Sequence, residues 1–224
     1  MILNELLLFL KLYFGHFCCI AQSQMGKTTK IAEIIKMFMK KNLDSYKCFI
    51  YNTQRFKAFR EIGVNVSSFD SFLQSFSNNQ ITVFNPKLSF LQVTEHEVFS
   101  KIIRTLFLTQ NNYINYQPYK LKKIIIVVDE IHQFLPKFEK TKVPELKLIL
   151  SRGLNPYKLQ LVTICQNIQQ TDNLIFSESN AMIVGKLEKY FWNFARKYKS
   201  KLPKEMIDKK YKFLFVDALS CFEI

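Results

Sequence analysis

The chain has 224 residues, of which 48% are hydrophobic, and its formal net charge is +14. This composition allows a sizeable core, and the absence of a long Pro-, Gly- or Ser-rich stretch argues against a linker between domains. The five cysteines form no C-x-x-C pair, which argues against a disulfide scaffold or a zinc site and favours reduced core thiols. We therefore predict one domain over residues 1–224 in a reducing compartment.

The predicted elements alternate between helices and strands. Residues 1–14 predict a helix that packs on a sheet, with a membrane-surface anchor as the alternative. Apolar runs predict strands, and helical spacing of apolar residues predicts further helices. The strands are Phe17–Ile20, Tyr46–Tyr51, Ile81–Phe84, Ile124–Val128, Leu159–Ile164, Ala181–Val184 and Tyr211–Val216; the helices are Thr29–Lys41, Asp70–Phe76, Thr94–Leu108 and Pro144–Leu150. This alternation predicts a three-layer α/β fold with helices on both faces of a mostly parallel sheet.

The sequence A-Q-S-Q-M-G-K-T lies between the first predicted strand and the helix that follows it. Such a loop cradles phosphates with backbone N–H groups, and the helix N-terminus adds its dipole. In this interpretation Lys27 reaches the β- and γ-phosphates, and the Thr28 hydroxyl binds Mg²⁺. An ordinary turn is the alternative. The predicted nucleotide-binding residues are Ala21, Gln22, Ser23, Gln24, Met25, Gly26, Lys27, Thr28 and Thr29.

Two carboxylates follow the strand Ile124–Val128, whose β-branched run without alternation predicts cover on both faces. At the carboxyl end of a parallel strand, Asp129 is placed to hold Mg²⁺ beside the phosphates, and Glu130 is placed to polarise an attacking water. A solvated strand end is the alternative for both residues. The agreement with the upstream loop favours a single ATP and Mg²⁺ site.

Gln166 ends another predicted strand, where its amide can touch the γ-phosphate or the attacking water, or can merely cap the strand. The motifs follow one another in a fixed order: the modified phosphate loop, a hydrophobic strand with D-E-I-H-Q-F, a helix, an Arg-Gly turn, a strand with Gln, and N-A-M-I-V-G-K. This order resembles the FtsK–HerA superfamily of DNA-pumping P-loop ATPases. The resemblance covers about residues 17–186 and implies a RecA-like fold, with Gln166 as sensor. His132 is a packing or surface residue, or a link between this site and DNA.

Within that superfamily the compact chain resembles the genome-packaging ATPases of viruses with double jelly-roll capsids. The resemblance implies a homo-oligomeric ring, a hexamer, that moves double-stranded DNA, with capsid-vertex or viral membrane proteins as partners. It also implies the host cytoplasm or the virion as location. Arg152 matches the family's trans-acting arginine, although the following connection is lengthened. A second departure is Ala21, which replaces the usual first glycine.

Basic and aromatic residues alternate in the C-terminal region, about residues 186–224. Basic side chains can meet phosphates while aromatic rings stack on bases, and a solvated helix face is the alternative. The predicted DNA contacts are Lys189, Arg196, Lys197 and Lys199. Two other functions stay open: a filamentous-phage assembly ATPase similar to the zonula-occludens-toxin group that acts on single-stranded DNA, and a DNA-transfer ATPase of a plasmid or mobile element.

Overall fold

The computed structural model describes residues 15–22, 24–42, 44–86, 93–187, 193, 196, 213–216 and 221–223. The predicted N-terminal helix lies outside these residues, as does the beginning of the last predicted strand. Within them, no helix is both long enough and apolar enough to cross a membrane.

Nine strands form one sheet among the described residues. They are β1 (His16–Ile20), β2 (Tyr46–Tyr51), β3 (Val64–Val66), β4 (Ile81–Phe84), β5 (Lys123–Val128), β6 (Leu159–Cys165), β7 (Ser179–Val184), β8 (Leu214–Val216) and β9 (Cys221–Glu223). Their order is β3-β4-β2-β5-β6-β1-β7-β8-β9. The pairs from β3 to β7 are parallel, and β8 and β9 add antiparallel pairs at one edge.

The helices are α1 (Lys27–Lys41), α2 (Lys57–Arg60), α3 (Phe69–Asn78), α4 (Val93–Tyr116), α5 (Glu145–Leu148) and α6 (Asn173–Glu178). The α4 helix continues well past its predicted end at Leu108. Pro144 precedes α5, which continues as a π-helix over Ile149–Gly153. The short α2 and α6 were not predicted, because one or two turns carry too little periodicity.

Two apolar layers cover the two faces of the sheet. Along β1, Cys18 and Ile20 belong to one buried cluster, whereas Phe17 and Cys19 belong to the other. This alternation follows from the two-residue period of a strand. Helix α1 packs on the second face through residues such as Ile31, and α4 packs on the first face. The predicted three-layer α/β architecture is confirmed.

Strands β5, β6 and β1 are adjacent and parallel, so their carboxyl ends meet at one edge of the sheet. The register pairs Ile20 with Cys165 and Val128 with Thr163. The segments that follow these strands are the predicted phosphate loop, Asp129 with Glu130, and Gln166. The topology therefore brings together three motifs that are far apart in sequence.

Candidate nucleotide site

The backbone of the phosphate loop is fixed at its start and bent in its middle. The Gly185 N–H donates to the Ile20 carbonyl at 2.9 Å, and the Gln22 N–H donates to the Lys186 carbonyl at 3.0 Å. Gln24 and Gly26 both have left-handed backbones, with φ of 58° and 77°. Left-handed residues alternating with other conformations turn successive N–H groups towards a common point, which is how backbone nests bind anions.

Ala21 is buried, and Gly185, which directly follows the neighbouring strand β7, leaves room for its side chain. A Cβ placed at Gly185 would lie 2.7 Å from the Ala21 Cβ and 2.8 Å from Cε1 of Phe213. The Ala21 methyl group therefore has room because Gly185 carries no side chain. The replacement of the usual first glycine is therefore offset by a contact that the sequence alone does not reveal.

Helix α1 begins at Lys27, and its first turn contains no acidic residue that would compete for the helix N-terminus. The Lys27 ammonium is buried and donates to the carbonyls of Ala21 at 3.0 Å and Gln22 at 2.8 Å. Burial lowers the Lys27 pKa, and nearby acidic groups, including Glu130, oppose that shift. A cation held here, beside free helical N–H groups, suits the phosphates of a nucleotide.

Thr28 and Thr29 occupy the next positions of this first turn; Thr28 is half-buried and Thr29 is exposed. Met25, between the two left-handed residues, is buried in the core layer of α1. Ser23 lies outside the described residues.

Asp129 is fully buried at the end of β5. Its carboxyl group lies near the Glu130 N–H, but neither of its oxygens has a hydrogen-bond partner of good geometry among the described residues. Burial, reinforced by the negative charge of Glu130, raises the pKa of Asp129 to about 7. A buried carboxylate without partners is costly unless a cation compensates its charge. The geometry therefore fits a divalent cation beside Asp129.

The surroundings of Asp129 suit Mg²⁺ in particular. The described residues contain no cluster of three or more His, Cys, Asp or Glu side chains that could enclose a metal ion. Mg²⁺ in nucleotide sites is held by one or two protein oxygens, with phosphates and water supplying the rest. Asp129 and, in the first turn of α1, the Thr28 hydroxyl are the protein oxygens that the sequence predicts for this purpose.

Glu130 is buried and has a left-handed backbone, with φ of 49° and ψ of 52°. Non-glycine residues rarely adopt this conformation, and it is often found where a functional side chain must be aimed. Burial raises the Glu130 pKa, while Lys27 and a hydrogen bond from the Gln166 side chain lower it. The carboxyl group is therefore held close to both the loop lysine and the predicted sensor.

His132 lies on the other side of the Glu130 carboxyl group. Its Nδ1 is 3.3 Å from Oε2 of Glu130, without the geometry of a hydrogen bond. Burial and the charge of Lys142 lower the His132 pKa, which favours the neutral form of the imidazole. This position favours the interpretation of His132 as a link to the site over that of a packing or surface residue.

Gln166 is half-buried, directly after β6. Its side chain is close enough to Glu130 to lower the pKa of that carboxyl group, which places the amide within the site. Between the capping and sensor interpretations, this contact favours the sensor.

Arg152 is exposed in the π-helix at the amino end of β6, the opposite edge of the sheet from the phosphate loop. It lines a polar cleft of about 460 Å³ that also includes His16, Glu178 and Asn180. The seven residues of β6 span roughly 23 Å at about 3.3 Å per residue. Arg152 therefore cannot reach the phosphate loop of its own chain.

The predicted DNA contacts are largely outside the described residues. Lys189, Lys197 and Lys199 all lie there, and Arg196 is described as half-buried. The prediction of a DNA-binding C-terminal region stays a prediction.

Neither a protein-family model nor a curated protein sequence matches this chain. Its fold is similar to that of the genome-packaging NTPase B204 from Sulfolobus turreted icosahedral virus 2 in complex with sulfate, with a TM-score of 0.71 and 16% identity. That alignment covers 93% of this chain and 95% of B204. The complex of B204 with AMPPCP gives a TM-score of 0.66 and 15% identity over 94% of this chain and 96% of B204.

A third similar structure is EssC (ATPases 2 and 3) from Geobacillus thermodenitrificans. Its TM-score is 0.63 at 12% identity, over 94% of this chain and 39% of EssC. At this level of identity the comparisons establish the fold. The predicted mostly parallel α/β fold is confirmed, and it is similar to the folds of this packaging NTPase and of the EssC ATPases.

Proposed function

We propose that this chain hydrolyses ATP and uses the free energy to move double-stranded DNA, as a genome-packaging motor of a virus. The observation that carries the proposal is the convergence of four side chains at one edge of the sheet. Lys27, Asp129 and Glu130 are buried together there, and the Gln166 side chain lies close enough to Glu130 to lower its pKa. A fold similar to that of a genome-packaging NTPase supports the DNA-moving role.

Nucleotide binding follows from the loop and the start of α1. The loop N–H groups and the helix N-terminus face the phosphates, and the Lys27 ammonium exchanges its bonds to loop carbonyls for bonds to phosphate oxygens. The Thr28 hydroxyl and Asp129 would hold Mg²⁺. When bound, it would supply positive charge beside the phosphates, where negative charge develops during transfer.

Glu130 is positioned to act as general base. It takes a proton from a water whose oxygen bonds to the γ-phosphorus as the bond to the β–γ bridging oxygen breaks, which yields ADP and phosphate. Its raised pKa makes it a better proton acceptor than an exposed glutamate. Gln166, bonded to this carboxyl group, orients Glu130 and senses the γ-phosphate.

Arg152 would act only across an interface, because it lies at the edge opposite its own phosphate loop. A homo-oligomeric ring, a hexamer, would bring it to the site of the adjacent subunit, where an arginine stabilises transition-state charge. The ring would work in the host cytoplasm or on the virion, against capsid-vertex or viral membrane proteins. The net charge of +14 suits a polyanion threaded through such a ring.

The test separates binding from hydrolysis. Glu130→Gln should keep ATP affinity and lower turnover by roughly a hundredfold or more, because only the proton acceptor is lost. Lys27→Ala should weaken ATP binding itself. Glu33→Gln, on the exposed side of α1, is the matched control and should change neither quantity. Normal turnover in Glu130→Gln would refute the assignment.

The same ATP hydrolysis assay tests which kind of nucleic acid the protein acts on. Packaging predicts that duplex DNA stimulates hydrolysis more than single-stranded DNA of the same length. Stronger stimulation by single strands would favour the filamentous-phage assembly function. A duplex-stimulated enzyme that gives no packaging in a capsid assay would favour the DNA-transfer function of a plasmid or mobile element.

A further inference from the structure

A basic, aromatic loop directly follows the site segment and was not predicted as functional. This basic loop, residues 136–143, has the sequence P-K-F-E-K-T-K-V. Lys137, Lys140 and Lys142 are exposed, and the Phe138 ring is 78% exposed. The Phe138 ring leaves apolar area unburied directly beside these lysines, where a bound partner could cover it.

The base of the basic loop is anchored to both segments of the candidate site. The N–H groups of Lys142 and Val143 donate to the Phe134 carbonyl at 3.1 and 3.4 Å. The Lys137 N–H donates to the Gln170 carbonyl at 2.8 Å, and Pro136 forms a bridge with Thr171. The first contacts tie the loop to the segment after Glu130, and the second tie it to the segment after Gln166. The tip is therefore exposed while the base is held by the site.

The charge of the loop tip is only partly neutralised. Lys142 lies 3.9 Å from the Glu139 carboxylate, whereas Lys137 and Lys140 pair with no acidic residue that the structure describes. The Lys137 ammonium lies 5.2 Å from the centre of the Phe138 ring. Two such ammonium groups beside an exposed aromatic ring are typical of surfaces that bind the nucleic-acid backbone and stack on its bases.

The loop is also electrostatically connected to the proposed general base. The charge of Lys142 acts on His132, whose Nδ1 lies 3.3 Å from the Glu130 carboxylate. Phosphate bound near Lys142 would change the field at this pair. The basic loop and the site are thus joined by one short segment of the chain, residues 130–136.

We propose that the basic loop is a DNA contact of the motor, in which Lys137 and Lys140 bind backbone phosphates and the Phe138 ring packs against a sugar or base. The inference rests on the proposed function and adds the residues that hold its substrate. It also supplies a route by which DNA binding reaches Glu130, through the segment that joins the loop to the site.

The test compares two double variants that remove the same charge. Lys137→Ala/Lys140→Ala should reduce the slope of log affinity against log salt for duplex DNA by up to about 2 units, at about 0.9 per lost phosphate contact. DNA stimulation of ATP hydrolysis should fall in parallel, with basal hydrolysis unchanged. The control, Lys36→Ala/Lys40→Ala on the exposed side of α1, should keep the slope and the stimulation.

The ring is tested by Phe138→Ala against Tyr116→Ala, whose ring is 79% exposed on α4. Loss of a stacked base should weaken single-strand binding by roughly fivefold or more in Phe138→Ala only. If both Phe138→Ala and the Lys137/Lys140 variant bind DNA like the parent, the loop contacts something else and the inference is wrong. If the parent protein neither binds DNA nor responds to it, the proposed function itself fails.

Discussion

The contact between Ala21 and Gly185 predicts that the two positions are energetically coupled. In Gly185→Ala the new Cβ would lie 2.7 Å from the Ala21 Cβ, far inside the roughly 3.5–4.0 Å optimum for two carbons. Such overpacking costs about 1–3 kcal/mol. Ala21→Gly alone should cost less, roughly 0.5–1 kcal/mol, through backbone freedom and lost packing.

The double variant Ala21→Gly/Gly185→Ala removes the closest clash but keeps the contact with Phe213, 2.8 Å from the new Cβ. It should therefore be more stable than the sum of the two single changes by about 0.5–2 kcal/mol. Because the Gly185 N–H is bonded at the start of the phosphate loop, Gly185→Ala should also weaken ATP binding, and the double variant should recover part of it.

The assay is urea denaturation of the parent, both single variants and the double variant, with ATP affinity measured on each. Gly63→Ala is the control, since its Cβ would lie 2.6 Å from Ile81 in a different part of the sheet. It should lower stability without coupling to Ala21 and without changing ATP affinity. Additivity of the Ala21 and Gly185 changes to within about 0.5 kcal/mol would refute this explanation of the loop.

Three further predictions concern the histidines and the arginine. Burial lowers the His16 pKa to about 4, so the unfolded chain gains a proton near pH 6.5 that the folded chain gains only near pH 4. The free energy of unfolding should therefore fall by about 3 kcal/mol as the pH drops through this window. In urea denaturation, His16→Asn should reduce this dependence of stability on pH. If the variant keeps the same dependence, other groups cause it. His132→Ala should lower kcat roughly tenfold with KM nearly unchanged, which is a small part of the rate enhancement that a general base supplies. If steady-state kinetics give the parent's kcat, His132 does not act in the site. Mixing Arg152→Ala subunits with Glu130→Gln subunits should restore part of the ATPase activity at interfaces that join intact residues, and absence of recovery would argue against action across an interface.

The sheet and the site edge were predictable because their signals are local and strong. Long apolar runs such as Ile124–Val128 mark buried strands, and polar residues directly after them mark the functional edge. The strand β3 escaped prediction because only Val66 of its three residues is buried. The extension of α4 escaped prediction because its last turns, up to Tyr116, are largely exposed and lose the apolar period.

Relations that depend on tertiary packing could not be predicted. The offset of Ala21 by Gly185 joins residues on different strand connections, and the position of His132 beside Glu130 depends on a left-handed backbone. The basic loop did carry a signal, the run K-F-E-K-T-K, which resembles the basic and aromatic pattern of the C-terminal region. What the sequence lacked was evidence that this run is anchored to the site.

We propose that hydrolysis at the Glu130 site moves the protein along duplex DNA. The most direct measurement is displacement of a third strand from a duplex, because a translocating motor strips that strand without unwinding the duplex. We expect displacement with ATP by the parent protein, and none by Glu130→Gln or with AMPPCP. ATP hydrolysis by the parent protein without displacement, on a duplex that it binds, would contradict it.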